Sequence, residues 1–139
     1  MTGLLDSSVL IAALVPDENW HAESLALLMR GRNVAYAHAL LETFSTLTGG
    51  KLGIKVDADL ATRLLRETIL PRIRVIELSG DELLAALGDA RKRGVRGGAV
   101  YDFMHLVAAK KGAANALYTL NTSDFQHLHR EQDPEILHP

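Results

Sequence analysis

Gly3-Leu4-Leu5-Asp6-Ser7-Ser8-Val9-Leu10-Ile11-Ala12-Ala13-Leu14 carries two structural signals back to back. The apolar run Gly3-Leu4-Leu5 stops abruptly at an acid, the pattern of a short buried strand. Ser7 and Ser8 then open a helix that runs to Leu14, before Pro16-Asp17 breaks it. A strand feeding directly into a helix is the unit from which parallel sheets are built, and the rest of the chain repeats it. Ala22, Leu25, Ala26, Leu28 and Met29 form a helical stripe within Trp20 to Arg30, with Gly31 as its stop. Asn33 to Ala37 reads as a second strand and Ala39 to Leu47 as a helix closed by Gly49-Gly50. The spacing predicts a helix over Asp57 to Leu70, ended by Pro71, and a third strand over Arg74 to Leu78. Ser79-Gly80-Asp81-Glu82 is an N-terminal cap signature for a helix from Leu83 to Arg93. A loop from Gly94 to Gly98 leads into a helix over Val100 to Lys111, ended by Gly112. Ala116 to Thr119 is the fourth strand, Asp124 to His129 a short helix or turn, and Glu135 to Leu137 a fifth, edge strand. Strands alternating with helices imply right-handed crossovers and a mostly parallel sheet of four to five strands covered on both faces. With 139 residues, no repeat and no linker, the chain is expected to form one domain over 1–139.

Four acids stand at the edges of these apolar segments: Asp6, Glu42, Asp102 and Asp124. In an open parallel sheet, functional groups collect outside the carboxyl ends of the strands. Asp6 follows the first strand at once, Glu42 comes about a turn after the second, and Asp124 lies beyond the fourth. Asp102 sits near the start of the helix leading into the fourth strand, which can lie at the same edge. Each acid alone has a plain alternative: Asp6 and Asp124 could cap the helices that follow, and Glu42 could be solvated. Asp102, between Tyr101 and Phe103, is a charge that should have a partner. Gathered together, the four would repel one another. Two carboxylates about 4 Å apart repel by roughly 4 kcal/mol at an effective dielectric near 20, so a cation would bind or some would protonate. Oxygen-only donors select Mg²⁺ or Mn²⁺, and such ions serve phosphodiester hydrolysis.

Composition narrows the function classes. Hydrophobic residues make up 47% of the chain, which excludes a disordered segment. No apolar run reaches the roughly 18 residues of a membrane span, so no membrane association is expected. No basic region precedes the first apolar stretch, which argues against a signal peptide. Cysteine is absent, which removes disulfides and thiolate metal sites and makes a reducing cytoplasm the expected location. The net charge of −2 and 5% aromatic content speak against a bulk nucleic-acid binder or a broad base-stacking platform.

The motifs that carry the acids resemble those of the PIN domain, most closely in VapC-type toxins of prokaryotic toxin–antitoxin pairs. Leu5-Asp6-Ser7-Ser8-Val9-Leu10 is similar to the family's opening motif, and Glu42 to its lone Glu in the helix after the second strand. Gly97-Gly98-Ala99-Val100-Tyr101-Asp102 resembles the loop and helix start that bear the third acid. Thr119-Leu120-Asn121-Thr122-Ser123-Asp124-Phe125 resembles the final Thr-x-Asn-x-x-Asp-Phe motif. The resemblance spans essentially the whole chain. It implies a three-layer α/β/α fold and a metal-dependent endoribonuclease acting on RNA. Asp6, Glu42 and Asp102 would be the core catalytic and metal-site acids, with Asp124 as a fourth, while Ser8 and Asn121 would support the site by hydrogen bonding. It further implies a homodimer and a VapB-type antitoxin whose C-terminal segment covers or enters the acidic groove. Phe103-Met104-His105 is bulkier than the small residues often found after the third Asp.

Arg91, Lys92, Arg93 and Arg96 are candidate contacts to RNA phosphates, against the alternative of a solvated helix end favoured by the dipole. His105, three residues after Asp102, is expected to pack or hydrogen-bond rather than ligate metal. Tyr101 and Trp20 are weighed as contacts to RNA bases, with packing favoured. Two other classes compete with the nuclease reading. One is a metal-dependent RNA- or protein-interaction module that does not cleave. The other is a receiver-like phosphotransferase domain, against which Ser8 stands where a second Asp would be needed; no Gly-x-x-x-x-Gly-Lys-[Ser/Thr] loop is present either.

Overall fold

Alternation along the strands assigns each residue to one of two cores. In the computed structural model, which describes residues 1–51, 53 and 55–139, the strands are β1 (Gly3–Leu5), β2 (Asn33–Tyr36), β3 (Ile73–Ile76), β4 (Ala116–Tyr118) and β5 (Glu135–Leu137). Leu4, Val34, Leu117 and Ile136 point to one face, and Leu5, Ala35, Ala116 and Tyr118 to the other. The first face is covered by α5 (Gly80–Leu87), α6 (Ala90–Arg93), α7 (Ala99–Lys111) and α8 (Thr122–Leu128), which contribute Phe103, Met104, Leu106 and Phe125 to the core. The second is covered by α1 (Ser7–Leu14), α2 (His21–Arg30) and α3 (Ala37–Gly49), with Val9, Leu10, Leu28 and Ala39. The three layers expected from the sequence are therefore present. Strands buried on both faces read as continuous apolar runs, which is why β1 is Gly-Leu-Leu with no polar alternation.

All pairings are parallel and the strand order is β3-β2-β1-β4-β5. The chain builds outward from β1 through β2 to β3, then returns across α7 to pair β4 with the other side of β1. The strand order thus reverses direction between β1 and β4, where doubly wound sheets open a crevice at their carboxyl edge.

Two helical segments depart from the sequence reading. Asp57 to Leu70 is not one α-helix: α4 covers Ala58–Leu64, a π turn follows over Leu65–Ile69, and a 3-10 turn over Leu70–Arg72 takes in Pro71. Leu83 to Arg93 is divided into α5 and α6, because Gly88 ends α5 and Asp89 starts a new turn. The cap ahead of α5 is as read: Ser79 Oγ accepts from the Glu82 amide at 3.1 Å, and the Glu82 carboxylate accepts from the Ser79 amide at 3.0 Å.

Candidate functional site

Asp6 is the first residue past β1 and the N-cap of α1. Its Oδ1 accepts from the Val9 amide at 3.2 Å and from Ser8 Oγ at 2.6 Å. Capping and a site role are thus compatible in this residue. Ser8 Oγ also accepts from the Leu120 amide at 3.0 Å, and the Asp6 amide donates to the Tyr118 carbonyl at 3.2 Å. These bonds tie the end of β1 to the segment leaving β4, the two strands flanking the crevice. Asp6 is only 4% exposed. Burial pushes its carboxyl pKa up, against the opposing pull of nearby His105, the Ser8 and Thr119 hydroxyls and the Val9 amide.

Asp102 lies in the first turn of α7. A crossover helix runs against the strands it connects, so its first turn sits at their carboxyl edge. The Asp102 pKa is also raised, first by burial and further by the charges of Asp6, Asp124 and Glu42, with His105 pulling it down. The geometry places the other acids at the same edge: Asp6 directly after β1, Asp124 in the first turn of α8 after β4, and Glu42 through its bond to His105 on α7. Residues from α1, α3, α7 and α8 therefore share one neighbourhood.

Glu42 projects from the second turn of α3, and its Oε1 is 2.8 Å from Nε2 of His105. His105 is 1% exposed and stands three residues after Asp102 on α7. The imidazole is thus a hydrogen-bond partner of a candidate acid, although of Glu42 rather than of Asp102 on its own helix. Its edge contacts reach Tyr36 and Phe125 at ring-centroid distances of 5.6 and 6.3 Å, and its Nδ1 has no hydrogen-bond partner among the described residues. The link from His105 to Glu42 was not visible in the sequence, because the residues are 63 positions apart.

Asp124 is exposed in the first turn of α8 and does not cap it; Asn121 occupies the cap position without a side-chain bond. Asn121 joins the site through its backbone: its amide donates to Thr119 Oγ1 at 2.9 Å and its carbonyl accepts from the Asp124 amide at 3.2 Å.

The donor set suits a hard divalent ion, being anionic, oxygen-only and mutually repulsive. Asp6, Glu42, Asp102 and Asp124 are the residues that could hold one. Among the described residues no three acidic or imidazole groups form a ready-made coordination cage. An ion bound there would be held by one or two of these carboxylates, with water and substrate oxygens completing the shell, as is the habit of Mg²⁺.

Of the basic candidates, Arg93 is committed elsewhere. Its guanidinium makes a bidentate pair with the buried Asp133 and donates to the Leu128 carbonyl at 3.0 Å. It also lies over the Phe103 ring, 5.4 Å from the centroid. A buried carboxylate needs this partner, so Arg93 drops out of the RNA-contact set. Arg91, Lys92 and Arg96 are exposed.

A five-stranded parallel α/β fold with acids at the carboxyl edge beside its switch point defines the structural class. The PIN domain family model matches residues 3–131, and the chain belongs to that family. The fold is also that of several solved structures. One is VapC20 of Mycobacterium tuberculosis, described as a toxin that cleaves the sarcin–ricin loop: 17% identity, 96% of this chain and 100% of that chain, TM-score 0.68. Another is VapBC2 of Rickettsia felis bound to a DNA fragment from their promoter: 17% identity, 100% and 99% coverage, TM-score 0.67. A third is VapBC-1 of nontypeable Haemophilus influenzae: 20% identity, 99% and 98% coverage, TM-score 0.61. A search of curated protein sequences finds no match. No helix among the described residues is long and apolar enough to cross a membrane.

Proposed function

We propose that this chain is the VapC-type toxin of a toxin–antitoxin pair and that it hydrolyses RNA phosphodiester bonds as a Mg²⁺- or Mn²⁺-dependent endoribonuclease. The observation that carries the reading is the placement of Asp6, Asp102 and Asp124 at the carboxyl edge, with Glu42 bonded to His105 three residues after Asp102. A divalent ion bound there would polarise a phosphoryl oxygen and lower the pKa of the attacking water. The chain's own part is positional. Ser8 and the Val9 amide fix the Asp6 carboxylate, His105 fixes Glu42, and Asp102 sits half-buried in the first turn of α7. Asp124, exposed at the rim, is the acid with the most freedom to meet substrate or ion. Such a site needs no side-chain nucleophile. The same reading includes a VapB-type antitoxin as partner, a homodimer and a cytoplasmic setting; the VapBC structures that share the fold support the first of these.

The test is cleavage of cellular RNA by the purified chain with Mg²⁺ or Mn²⁺, mapped by sequencing new ends. Asp6→Asn and Asp102→Asn should keep the fold and lose activity by about a hundredfold or more, since each removes part of a charge set worth several kcal/mol to the transition state. Undiminished metal-dependent cleavage by both variants would refute the assignment.

A further inference from the structure

Beside the acids lies a pocket of about 210 Å³ walled by Tyr36, His38, Leu83, Val100, Tyr101 and Met104. It forms where the end of β2 and the first turn of α3 face α5 and the first turn of α7. Tyr101 is 55% exposed, and its ring lies nearly parallel to that of His38, with an interplanar angle of 11° and centroids 5.5 Å apart. Both rings adjoin candidate acids: Tyr101 precedes Asp102, and His38 stands four residues before Glu42, one turn away on α3. Tyr36 meets His105 edge-on, and His105 holds Glu42. Tyr36 thus links the wall of the pocket to the His105–Glu42 pair.

We propose that this pocket takes one nucleobase of the RNA strand, next to the scissile phosphate, stacked on Tyr101. The inference rests on the ribonuclease reading for its orientation. Size favours a single ring system: a cavity of about 150 Å³ admits benzene, whereas drug-sized sites begin near 300 Å³. Chemistry favours a base over phosphate, because the lining carries no Lys or Arg. Unstacked bases of single-stranded RNA are held by stacking on aromatic rings and by hydrogen bonds to their edges. The hydroxyl of Tyr36 and the His38 imidazole supply donors and acceptors for such an edge. The bulky sequence after Asp102 serves this wall, since Met104 lines the pocket beside Tyr101.

The experiment uses the full chain carrying Asp6→Asn, with Mg²⁺, so that RNA stays intact. The probe is a pool of single-stranded RNA octamers bearing one 2-aminopurine in otherwise random sequence. Binding should quench the probe. Adding Tyr101→Ala should abolish the quench and weaken binding about tenfold, as expected for the loss of one stacked base, while Tyr101→Phe and Tyr101→Trp should retain both. No quench in the parent, or an equal quench in Tyr101→Ala, overturns the proposal. So does a Tyr101→Ala variant that changes oligomeric state on size exclusion with the quench intact, which would make the pocket a protein contact. This readout needs no cleavage, so a Tyr101-dependent quench together with a wild-type chain that cuts no RNA would refute the ribonuclease reading and uphold the base pocket. In chains with intact acids, Tyr101→Ala should broaden the base preference beside the cut, and Tyr101→Phe should preserve it.

Discussion

Ser8 shows how a single hydroxyl serves both fold and site. It donates to Asp6 at 2.6 Å and accepts from the Leu120 amide at 3.0 Å, so one oxygen joins the first and fourth strand ends and fixes the carboxylate between them. Ser8→Ala removes both bonds and leaves a partly buried amide unpaired. The loss should be about 2 kcal/mol in denaturant unfolding, because one of the bonds is to a charged acceptor. Under the proposed function, RNA cleavage should fall about tenfold as Asp6 loses its orientation. Ser8→Thr, which keeps the hydroxyl, should recover most of both. At this scale the sequence was informative about which residues matter, because an acid at the end of an apolar run is costly without a reason. It was silent on partners. The contacts of Ser8 with Leu120 and of His105 with Glu42 span 112 and 63 positions, and no local pattern encodes them.

The division of Leu83 to Arg93 into α5 and α6 belongs to the scale of elements. Apolar spacing supports one helix through this stretch, yet Gly88 has a low helix propensity and the chain turns there. The turn leaves Arg93 where it meets Asp133, just ahead of β5, and this long-range pair holds α6 against the sheet edge. Asp133 also accepts from the Arg130 amide at 2.8 Å and lies 3.6 Å from Lys110. Burial alone would raise its carboxyl pKa, but the Arg93 hydrogen bonds, the Arg130 amide and the charges of Arg93 and Lys110 prevail and hold it below the ordinary carboxylate value. A depressed folded-state pKa stabilises the fold above the unfolded-state value near 3.9 and loses that contribution as pH falls through the folded-state pKa. Asp133→Ala should therefore cost about 3 kcal/mol at neutral pH, the penalty for stranding half of a buried pair. Its stability should then decline less steeply than that of the wild type below about pH 4, as read by urea unfolding across pH. An unchanged acid limb in the variant would show that Asp133 does not control it. The cap of α5 provides a local contrast: it was legible in Ser79-Gly80-Asp81-Glu82 because all its atoms lie within one turn, and Ser79→Ala should cost only about 1 kcal/mol.

At the scale of the whole molecule, the decisive fact is the strand order. Alternating strands and helices indicated a parallel sheet, but sequence patterns do not say on which side of β1 the chain returns. The return across α7 to β4 puts the crevice beside Asp6 and brings in Asp102 and Asp124. Under the proposed function, gathering the acids has a stability cost that a bound cation should remove. Burial and neighbouring negative charge make the ionised form of Asp102 unfavourable, so at neutral pH the metal-free fold carries a strain that the unfolded chain does not. Mg²⁺ or Mn²⁺ in hundredfold excess over its dissociation constant should add about 2.7 kcal/mol, a rise of several degrees in thermal midpoint for a chain of this size. EDTA should reverse it. Asp102→Asn should make the metal-free chain at least as stable as the wild type, because it removes the carboxylate on which three others act. It should also shrink the metal-induced rise, because a candidate ligand is gone. Stability and metal response would then move in opposite directions, a pattern that loss of packing does not produce. A metal-free Asp102→Asn chain that melts lower while gaining the full metal-induced rise would show that Asp102 belongs to no site held ready for a cation.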